Sequence, residues 1–385
     1  MKKLYRLDAW HKLLALRFKS LKWRHGVLIA LLILVTLTKM IPLWGFIYTT
    51  RIYPVIGTLL SPISGFFPFA VGDIFIALSI AWVILYPIYE IRLRKKRVFG
   101  RVAEYLLWVY AWFYIAWGLN YSQPNIYYRI GMKPVEVSKA KFKKFAYQYA
   151  DSLNALSIAS LSNARKSISP DSIVDDALKN RVRDAVLKEY NKIGYREGIN
   201  RPFNQHPHAK TMVFTPLSSM AGVTGSMGPF FCEFTLNGDI LAHDYPATYA
   251  HEFAHFLGVA NEGEANFYSY IVCTASADKQ VRFSGYYHIF FHVLNNVYDI
   301  LGEKEGERFL KHIRPEIIQR ARNDRYYWLS KRCKALDAAQ DFIFELYLKG
   351  NHVAEGRKSY SGVIGLILTW NEKKETILKY KNSRN

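Results

Sequence analysis

The sequence contains little cysteine, no internal repeat and no low-complexity tract. Its three cysteines (Cys232, Cys273 and Cys333) cannot all pair with one another, and their spacing fits no disulfide framework. One disulfide remains possible, but free cysteines are commonly buried, so we expect buried thiols.

Acidic residues are scarce near the N-terminus. Residues 1–120 hold 16 Lys and Arg against four acids, in a chain whose net charge is +21. Such a basic balance can indicate nucleic-acid binding. Here, however, the basic residues flank long apolar runs, so we expect the partner to be a lipid bilayer and not nucleic acid.

Three apolar runs each approach the roughly 20 residues needed to cross a hydrocarbon core. They lie at about residues 26–49, 69–91 and 102–121, which predicts a membrane domain over residues 1–121. The first run is too long for a cleavable signal peptide, and no small-residue cleavage site follows it. The apolar region 51–68 is broken by Pro and Gly, and therefore fits an interfacial or re-entrant segment.

The distribution of Lys and Arg predicts how these spans are oriented. Basic residues crowd the segment before the first span and the loop between the second and third, whereas the loop between the first and second holds only Arg51. We therefore predict a cytoplasmic N-terminus, and three spans would then place residues 122–385 outside. For Lys39 and Asp73, which fall in or beside the spans, a snorkelling lysine and an interfacial aspartate are simpler interpretations than an intramembrane function.

Residues 122–385 are predicted to form an extracytoplasmic, mostly helical domain with a small β-sheet. Helical periodicity recurs through most of this region, and Asp171 is a candidate cap for an early helix. Between residues 203 and 244 the sequence is rich in Gly, Ser, Thr and Phe, which indicates strands and loops. The predicted fold class is therefore mainly α.

The segment YPATYAHEFAHFLGVANEGEAN, residues 245–266, favours two short helices joined by a turn. Pro246 can open the first helix with Asp244 as its cap. Gly258 can end that helix and reverse the chain.

An HExxH motif lies on the first of these helices. His251 and His255 are one turn apart on one face, so both imidazoles can reach a single ion. Glu252, beside the first histidine, can contact a metal-bound water without ligating the metal. This arrangement predicts a zinc site.

A catalytic zinc site needs a third protein ligand and one position left open. A second helix beginning near Glu262 can pack back against the first, so that either Glu262 or Glu264 reaches the ion. Asn266 lies one turn after Glu262 and can support a ligand from behind. The alternative is a solvent-facing helix whose histidines have ordinary partners.

The HEFAH and EGEAN segments resemble the gluzincin metallopeptidases, whose third ligand is a glutamate on the following helix. NEGEA at 261–265 is similar to a box of zinc aminopeptidases, and EGEANF is similar to a segment of integral-membrane zinc peptidases. In both groups the first glutamate ligates zinc, which implies Glu262 as the ligand and Asn266 as its support. Only six residues separate His255 from Glu262, which is short for those families and keeps Glu264 as the alternative ligand.

Nearly the whole chain also resembles an uncharacterised family of bacterial multi-span membrane proteins with a domain of unknown function. The segments that carry this resemblance include GLNYSQP, GPFFCEFTLN and SYSGVIGLIL. The resemblance implies a membrane-anchored, zincin-like peptidase with Zn²⁺ as cofactor, and no established substrate.

The expected reaction is hydrolysis of peptide bonds in a peptide or protein substrate. Glu252 would take a proton from zinc-activated water and deliver it to the leaving amine. The oxyanion needs a hydrogen-bond donor, for which Tyr286, Tyr287 and His288 are candidates. Glu233, in the strand-like segment FFCEFTLNGD, either faces a substrate N-terminus or is a solvent-facing strand residue.

Two other functions compete with this prediction. An intramembrane protease would need the motif inside an apolar span of about 20 residues, whereas the run from Pro246 to Ala260 is shorter and ends in NEGE. A zinc-stabilised sensor or binding domain, coupled to the membrane spans, would need no catalysis. Glu252 has no structural role in a sensor, so its presence favours an enzyme.

Overall fold

The computed structural model of the protein describes residues 23–94, 97–136, 138–164, 174–336, 338–342 and 362–382. The basic segment before the first predicted span and the predicted cap Asp171 lie outside these residues. Within them the chain is mainly helical and contains one small sheet.

The N-terminal region is a series of helices joined by short breaks. They are α1 (Trp23–Met40), α2 (Pro42–Ile47), a π-helical turn (Tyr48–Ile52), α3 (Tyr53–Gly65), α4 (Val71–Arg92) and α5 (Val98–Ala116). Ile41 is extended because it precedes Pro42, and this interrupts the first predicted span after Met40. The region predicted as interfacial forms the π-helical turn and α3.

In the described part of the chain, two helices are long and apolar enough to cross a membrane, namely α1 and α4. The prediction of three such segments is therefore wrong. The third segment forms α5, which begins at Val98 and so includes Arg101 and Glu104 together with several Trp and Tyr, and these residues lower its mean hydropathy. Helix α5 packs against both other helices: Arg24 of α1 pairs with Glu104 at 2.9 Å, and Ser79 of α4 lies 2.7 Å from the Tyr105 hydroxyl.

The two charged residues noted in the spans both have protein partners. Lys39 Nζ donates to the Tyr114 hydroxyl at 3.0 Å and lies over the same ring. Asp73 Oδ2 accepts a hydrogen bond of 2.9 Å from the Val213 amide, which lies near the small sheet. Asp73 therefore attaches the start of α4 to the rest of the protein.

Most of the remaining chain is helical. Its helices are a 3₁₀ turn (Gly118–Ser122), α6 (Ile126–Arg129), α7 (Lys139–Ala164), α8 (Asp176–Tyr190), a 3₁₀ turn (Tyr195–Glu197), α9 (Thr215–Met220), α10 (Tyr245–Phe256), α11 (Glu262–Ala275), α12 (Lys279–His288), α13 (Phe290–Leu301), α14 (Glu303–His312), α15 (Pro315–Lys331) and α16 (Gly362–Asn382). Side-chain caps fix several starts, since Asp175 accepts from the Leu178 amide and Asp278 from the Val281 amide.

The sheet has three short strands: β1 (Lys210–Thr211), β2 (Gly225–Gly228) and β3 (Glu233–Leu236). Strand β3 is central, with β1 parallel on one side and β2 antiparallel on the other. Cys232, in the left-handed conformation at φ 49°, turns the chain from β2 into β3.

Helix α10 lies at the centre of the core, where it contacts α11, α12 and strands β2 and β3. All twelve of its residues are buried. Phe253 stacks on Phe256 at 5.5 Å, and Tyr249 meets Phe234 of β3 edge to face. The three cysteines are free; Cys232 and Cys273 are buried, as predicted, and Cys333 is half-buried.

Candidate metal centre

A turn at Gly258 brings α10 and α11 together. Gly258 has φ +96°, and a Cβ there would lie 3.1 Å from both Asn120 Oδ1 and the Tyr53 ring, so glycine suits both the conformation and the space. Asn261 then caps α11 by accepting from the Glu264 amide at 3.0 Å. Asp244, expected to cap α10, makes no such bond; Pro246 is at the start of the helix as predicted.

His251, His255 and Glu262 converge in the buried space between these two helices. The Nε2 atoms of the histidines are 3.0 Å apart. Glu262 Oε2 lies 3.2 Å from His251 Nε2 and 3.5 Å from His255 Nε2. These three residues could hold a metal ion, and they are referred to below as the metal-binding group.

The donor atoms of this group fit zinc. His251 Nδ1 donates to Asn266 Oδ1 at 2.8 Å, and His255 Nδ1 donates to the Val259 carbonyl at 2.7 Å. With Nδ1 protonated, each Nε2 directs a lone pair at the other and at the carboxylate. Tetrahedral ligands at about 2.0–2.1 Å from zinc would be about 3.3 Å apart, and the three measured separations bracket that value.

The electrostatics of the group also favour a cation. Burial disfavours charge on His255, but the Glu262 carboxylate outweighs it and raises the pKa of His255 to about 9. Burial would raise the pKa of Glu262, but His255 and His251 lower it well below its ordinary value. At neutral pH the metal-free group therefore holds a proton, which a bound cation would displace.

Glu252, next to His251 in the chain, carries a buried carboxylate oxygen, Oε2, that has no hydrogen-bond partner among the described residues. Strand β2 leaves room for it through Gly225, where a Cβ would overlap the Glu252 carboxylate. Burial raises the pKa of Glu252, while His251 and His255 lower it. Buried polar atoms are normally hydrogen-bonded, so this oxygen marks a place for a bound polar group.

Asn266 occupies the supporting position expected from the sequence. Besides His251, its Oδ1 accepts from His288 Nε2 at 2.9 Å. Burial and the nearby His251 and His292 lower the pKa of His288 to about 3, so its ring is neutral. His288 is thus linked to the metal-binding group through Asn266.

Glu264, the alternative ligand, lies elsewhere. Its Oε1 accepts from the Ile126 amide at 2.9 Å, and its Oε2 pairs with the buried Arg129 guanidinium. Two positions along an α-helix rotate a side chain by about 200°, so Glu262 and Glu264 point in nearly opposite directions. The structure therefore leaves Glu262 as the third member of the group.

Glu233 is also committed to internal contacts. Its Oε2 pairs with Lys210 Nζ at 2.7 Å, and its Oε1 accepts from the Gly72 amide at the start of α4. Lys210 neutralises the charge of the carboxylate, and each of its two oxygens already has a partner. Because Glu233 is also buried, it does not face solvent, and it has no free oxygen for a substrate amine. Strand β3 lies between β1 and β2, so it has no free edge for pairing with an extended peptide.

The two predicted tyrosines lie outside the metal-binding group. Tyr286 packs against Tyr149 and Tyr270. Tyr287 donates to Asp324 Oδ2, which also lies 2.8 Å from His243 Nε2. Of the three predicted oxyanion donors, only His288 is connected to the metal-binding group.

His243, Asp244 and Asp324 form a second cluster, which the sequence pattern does not indicate. These residues are close enough to form a second group with metal-ligand chemistry. Burial raises the pKa of Asp244 to about 6. The adjacent histidine and aspartate before α10 were the available signal, but Asp324 lies 81 residues after His243 and no spacing rule connects them.

A further set of residues, likewise not indicated by the sequence pattern, supports the end of α10. The last carbonyls of a helix lack partners within the helix. Here four consecutive carbonyls each accept a side-chain hydrogen bond: His255 from Trp117 (3.0 Å), Phe256 from Tyr53 (2.6 Å), Leu257 from Asn200 (2.8 Å) and Gly258 from Gln123 (2.6 Å). The N-terminal helices are thus bonded directly to the helix that carries both histidines.

Comparison with known proteins gives one match. The chain belongs to the family described as "Protein of unknown function (DUF3810)", which matches residues 48–368. No curated protein and no solved structure matches the chain. The family match covers both the N-terminal helices from the π-helical turn onward and the metal-binding group.

Proposed function

We propose that this protein is a membrane-anchored zinc metallopeptidase. The observation that carries the proposal is the buried convergence of His251, His255 and Glu262 beside the partnerless Glu252 carboxylate oxygen. Two imidazoles and one carboxylate, with a fourth position left open, are the ligand set of hydrolytic zinc sites.

In this proposal Glu252 is the general base. When bound, zinc supplies Lewis acidity towards a carbonyl oxygen and lowers the pKa of a coordinated water. Glu252 would accept the proton of the attacking water and pass it to the leaving amine. Its burial raises its affinity for that proton, which suits a residue that must hold it between the two steps.

Substrate binding is supported by the position of strand β2. This strand pairs with β3 on one side only, and Gly225 at its start lies against Glu252. An extended peptide could add to this edge through backbone hydrogen bonds, which would bring a scissile bond near the metal. His288 reaches the group through Asn266, but the one N–H of its neutral ring is bonded to Asn266, so we propose that it supports His251 indirectly and does not donate to the oxyanion.

Anchoring in a membrane is supported by the exposed apolar faces of α1 and α4. In the sequence, six basic residues lie around the end of α4 and the start of α5, namely Arg92, Arg94, Lys95, Lys96, Arg97 and Arg101. The start of α4 is bonded instead to the sheet through Gly72 and Asp73. Helix α5 runs back from that basic end antiparallel to α4, with Arg101 bonded to Tyr86 and Tyr105 next to Ser79. By the positive-inside rule the basic end faces the cytoplasm. We therefore propose that α5 returns across the bilayer beside α1 and α4, although it is not apolar enough to span alone, and that the metal centre lies outside.

The test is the substitution Glu252→Gln in the purified full-length chain. We expect zinc, measured by elemental analysis, to remain at one ion per chain. Hydrolysis of a quenched fluorescent peptide library should fall by about 10²–10⁴-fold, since the general base is lost. Glu303→Gln, an exposed change at the start of α14, is the matched control and should have no effect. Unchanged hydrolysis in Glu252→Gln would exclude this mechanism.

The bonds between the N-terminal helices and α10 favour a second candidate, a non-catalytic zinc-stabilised sensor coupled to the membrane. Motion of Trp117 or Tyr53 would reach His255 and Phe256 directly. The sensor candidate predicts bound zinc without hydrolysis by the wild-type protein. The same library assay on wild-type protein therefore separates the two functions.

A further inference from the structure

Strand β2 leads from the metal-binding group to the start of helix α4. At one end, a Cβ on Gly225 would overlap the Glu252 carboxylate. At the other end, the Gly228 Cα lies 4.0 Å from where a Cβ on Gly72, the second residue of α4, would be. Strand residues rise about 3.4 Å each, so the two ends of β2 are about 10 Å apart. The proposed general base is therefore one short strand away from the start of a helix that is apolar enough to span a membrane.

The turn between β2 and β3 packs against the helices beside it. The Phe230 and Phe231 rings contact the Phe75 ring of α4, with centroids 4.9 and 5.5 Å away. Trp112 of α5 donates its indole N–H to the Phe230 carbonyl at 3.0 Å, and the Phe113 ring is 6.0 Å from the Phe230 ring. Phe75 is one turn inside α4, and Trp112 is one turn before the end of α5. The tip of the hairpin therefore lies where both helices, in the proposed arrangement, enter the bilayer.

The outer edge of β2 carries backbone groups directed away from β3. In the described part of the chain β2 pairs with β3 on one side only. The Asn237 amide donates to the Thr224 carbonyl at 2.9 Å, which fixes the alternation of the antiparallel ladder. Ser226 consequently bonds towards β3, whereas the amides and carbonyls of Gly225 and Met227 point away from it. An extended peptide can pair with such an edge.

The surface around the α4 end of the sheet is apolar. Phe66 and Phe69, between α3 and α4, are exposed, and so are Val213 and Phe214. The Val213 amide is bonded to Asp73, which holds this second apolar segment against the start of α4. Exposed apolar groups mark interaction surfaces, and lipid is the partner that the adjoining span brings next to them. One end of β2 is therefore at the lipid boundary and the other is at the metal-binding group.

We infer that the substrate is a polypeptide anchored in the same membrane and cut within a few residues of its own span. This inference rests on the proposed peptidase function. A chain that leaves the bilayer beside α4 and pairs with β2 reaches Glu252 after about three to five residues, because extended residues advance about 3.4 Å each. A soluble peptide lacks the anchor that holds such a segment at this height, so its effective concentration at β2 is lower.

The test compares three peptides that share one randomised segment of about eight residues, incubated with zinc-loaded full-length protein in liposomes. In the first, the segment directly adjoins a span of about 20 leucines in the same bilayer. In the second, a flexible Gly-Ser spacer of about 20 residues separates the segment from that span. The third has no span. The first peptide should be cut at least about tenfold faster than the others, because anchoring raises its effective concentration.

Mass spectrometry of the first peptide should place most cuts about three to six residues from its span. Equal cleavage of all three peptides would overturn the membrane-proximal substrate and leave the peptidase standing. If none of the three is cut, the proposed function and this inference both fail. The two failures are therefore distinguishable.

A crosslinking measurement tests the same pairing without zinc or hydrolysis. The exposed Ser226 of β2 is changed to a photoreactive residue, Ser226→p-benzoylphenylalanine, in chelator-treated protein. Light should crosslink this position to the directly anchored peptide and several-fold less to the spaced one. Glu303→p-benzoylphenylalanine, at an exposed position of α14, is the matched control and should capture neither peptide. Equal capture of the two peptides at position 226 would overturn the inference.

The variant Met227→Pro tests whether the edge of β2 makes the contact. Proline removes an amide that points away from β3, so the hydrogen bonds of the sheet itself stay in place. Crosslinking and cleavage of the anchored peptide should fall by about three- to tenfold, the loss of one hydrogen bond. Thermal unfolding should match that of the wild type; if it does not, the crosslinking comparison at position 226 decides. Unchanged cleavage by a folded Met227→Pro protein would show that the peptide does not pair with β2 and would overturn the inference.

Discussion

Helices α4 and α10 differ in which residues they hide from water. In α4 only Gly72 and Glu90 are buried, and apolar residues such as Ile80, which is 56% exposed, cover its surface. In α10 every residue is buried, including His251 and its neighbours. One helix exposes apolar groups and the other buries polar ones, and neither arrangement is favourable against water alone. In the proposed function, lipid covers the apolar face of α4 and an ion binds the buried polar groups of α10.

The largest effect should come from removing a ligand in α10. His251→Ala takes away one of three converging donor atoms, so zinc affinity should fall by about a thousandfold, beyond the 10–100-fold typical of supporting residues. Competition with a fluorescent chelator measures it. His206→Ala, in an exposed loop, serves as control. If both variants bound zinc equally well, α10 would be an ordinary core helix and the comparison would fail.

A smaller effect is expected from a charge on the exposed face of α4. Ile80→Arg, near the middle of that helix, should reduce membrane integration by about 2.5–3.5 kcal/mol, because arginine is costly at the centre of a spanning helix. A glycosylation-based insertion assay measures the change. Tyr326→Arg, at an exposed position of α15, should be nearly neutral. An equally mild effect at position 80 would mean that α4 faces water.

The smallest effect is a pH dependence confined to the α10 centre. The pKa of His255 is about 9 in the folded metal-free protein and about 6.5 when unfolded. The resulting stabilisation is complete below pH 6.5 and is lost as pH rises through 9, which we expect to cost about 1–3 kcal/mol. Thermal unfolding of chelator-treated protein should show this loss.

Zinc-loaded protein is the control for that measurement, because its His255 is already deprotonated when it ligates the ion. Its stability should lack the decline between pH 6.5 and 9. Parallel pH profiles with and without zinc would contradict the assigned proton.

The local features of both helices were predictable from sequence. A long apolar run predicts α4 almost to its ends, at Val71 and Arg92. HExxH followed by Gly258 predicts the α10–α11 hairpin, because the histidine spacing and the turn are both local signals. Those signals also put Glu262 near the histidines, although they could not choose between it and Glu264.

The hydrogen-bond and ion-pair partners that fix the position of each side chain could not be predicted from the sequence, because they are distant in the chain. Glu264 forms an ion pair with Arg129, 135 residues earlier. Glu233 forms an ion pair with Lys210 and accepts a hydrogen bond from the Gly72 amide. Strand β1 is only two residues long and leaves no pattern, so the central position of β3 could not be expected. The start of α5 at Val98, which adds Arg101 to the predicted segment 102–121, likewise depends on packing against its neighbours.

The four side-chain bonds at the end of α10 have a consequence for dissecting the protein. A fragment beginning at residue 122 would lack Tyr53 and Trp117, and would leave the Phe256 carbonyl without its side-chain donor. Each lost partner of a buried carbonyl costs about 1–3 kcal/mol, a large share of the stability of an ordinary domain. Expressing residues 122–385 by themselves should therefore yield a frayed histidine helix, and the N-terminal helices and α10 are better regarded as one folding unit.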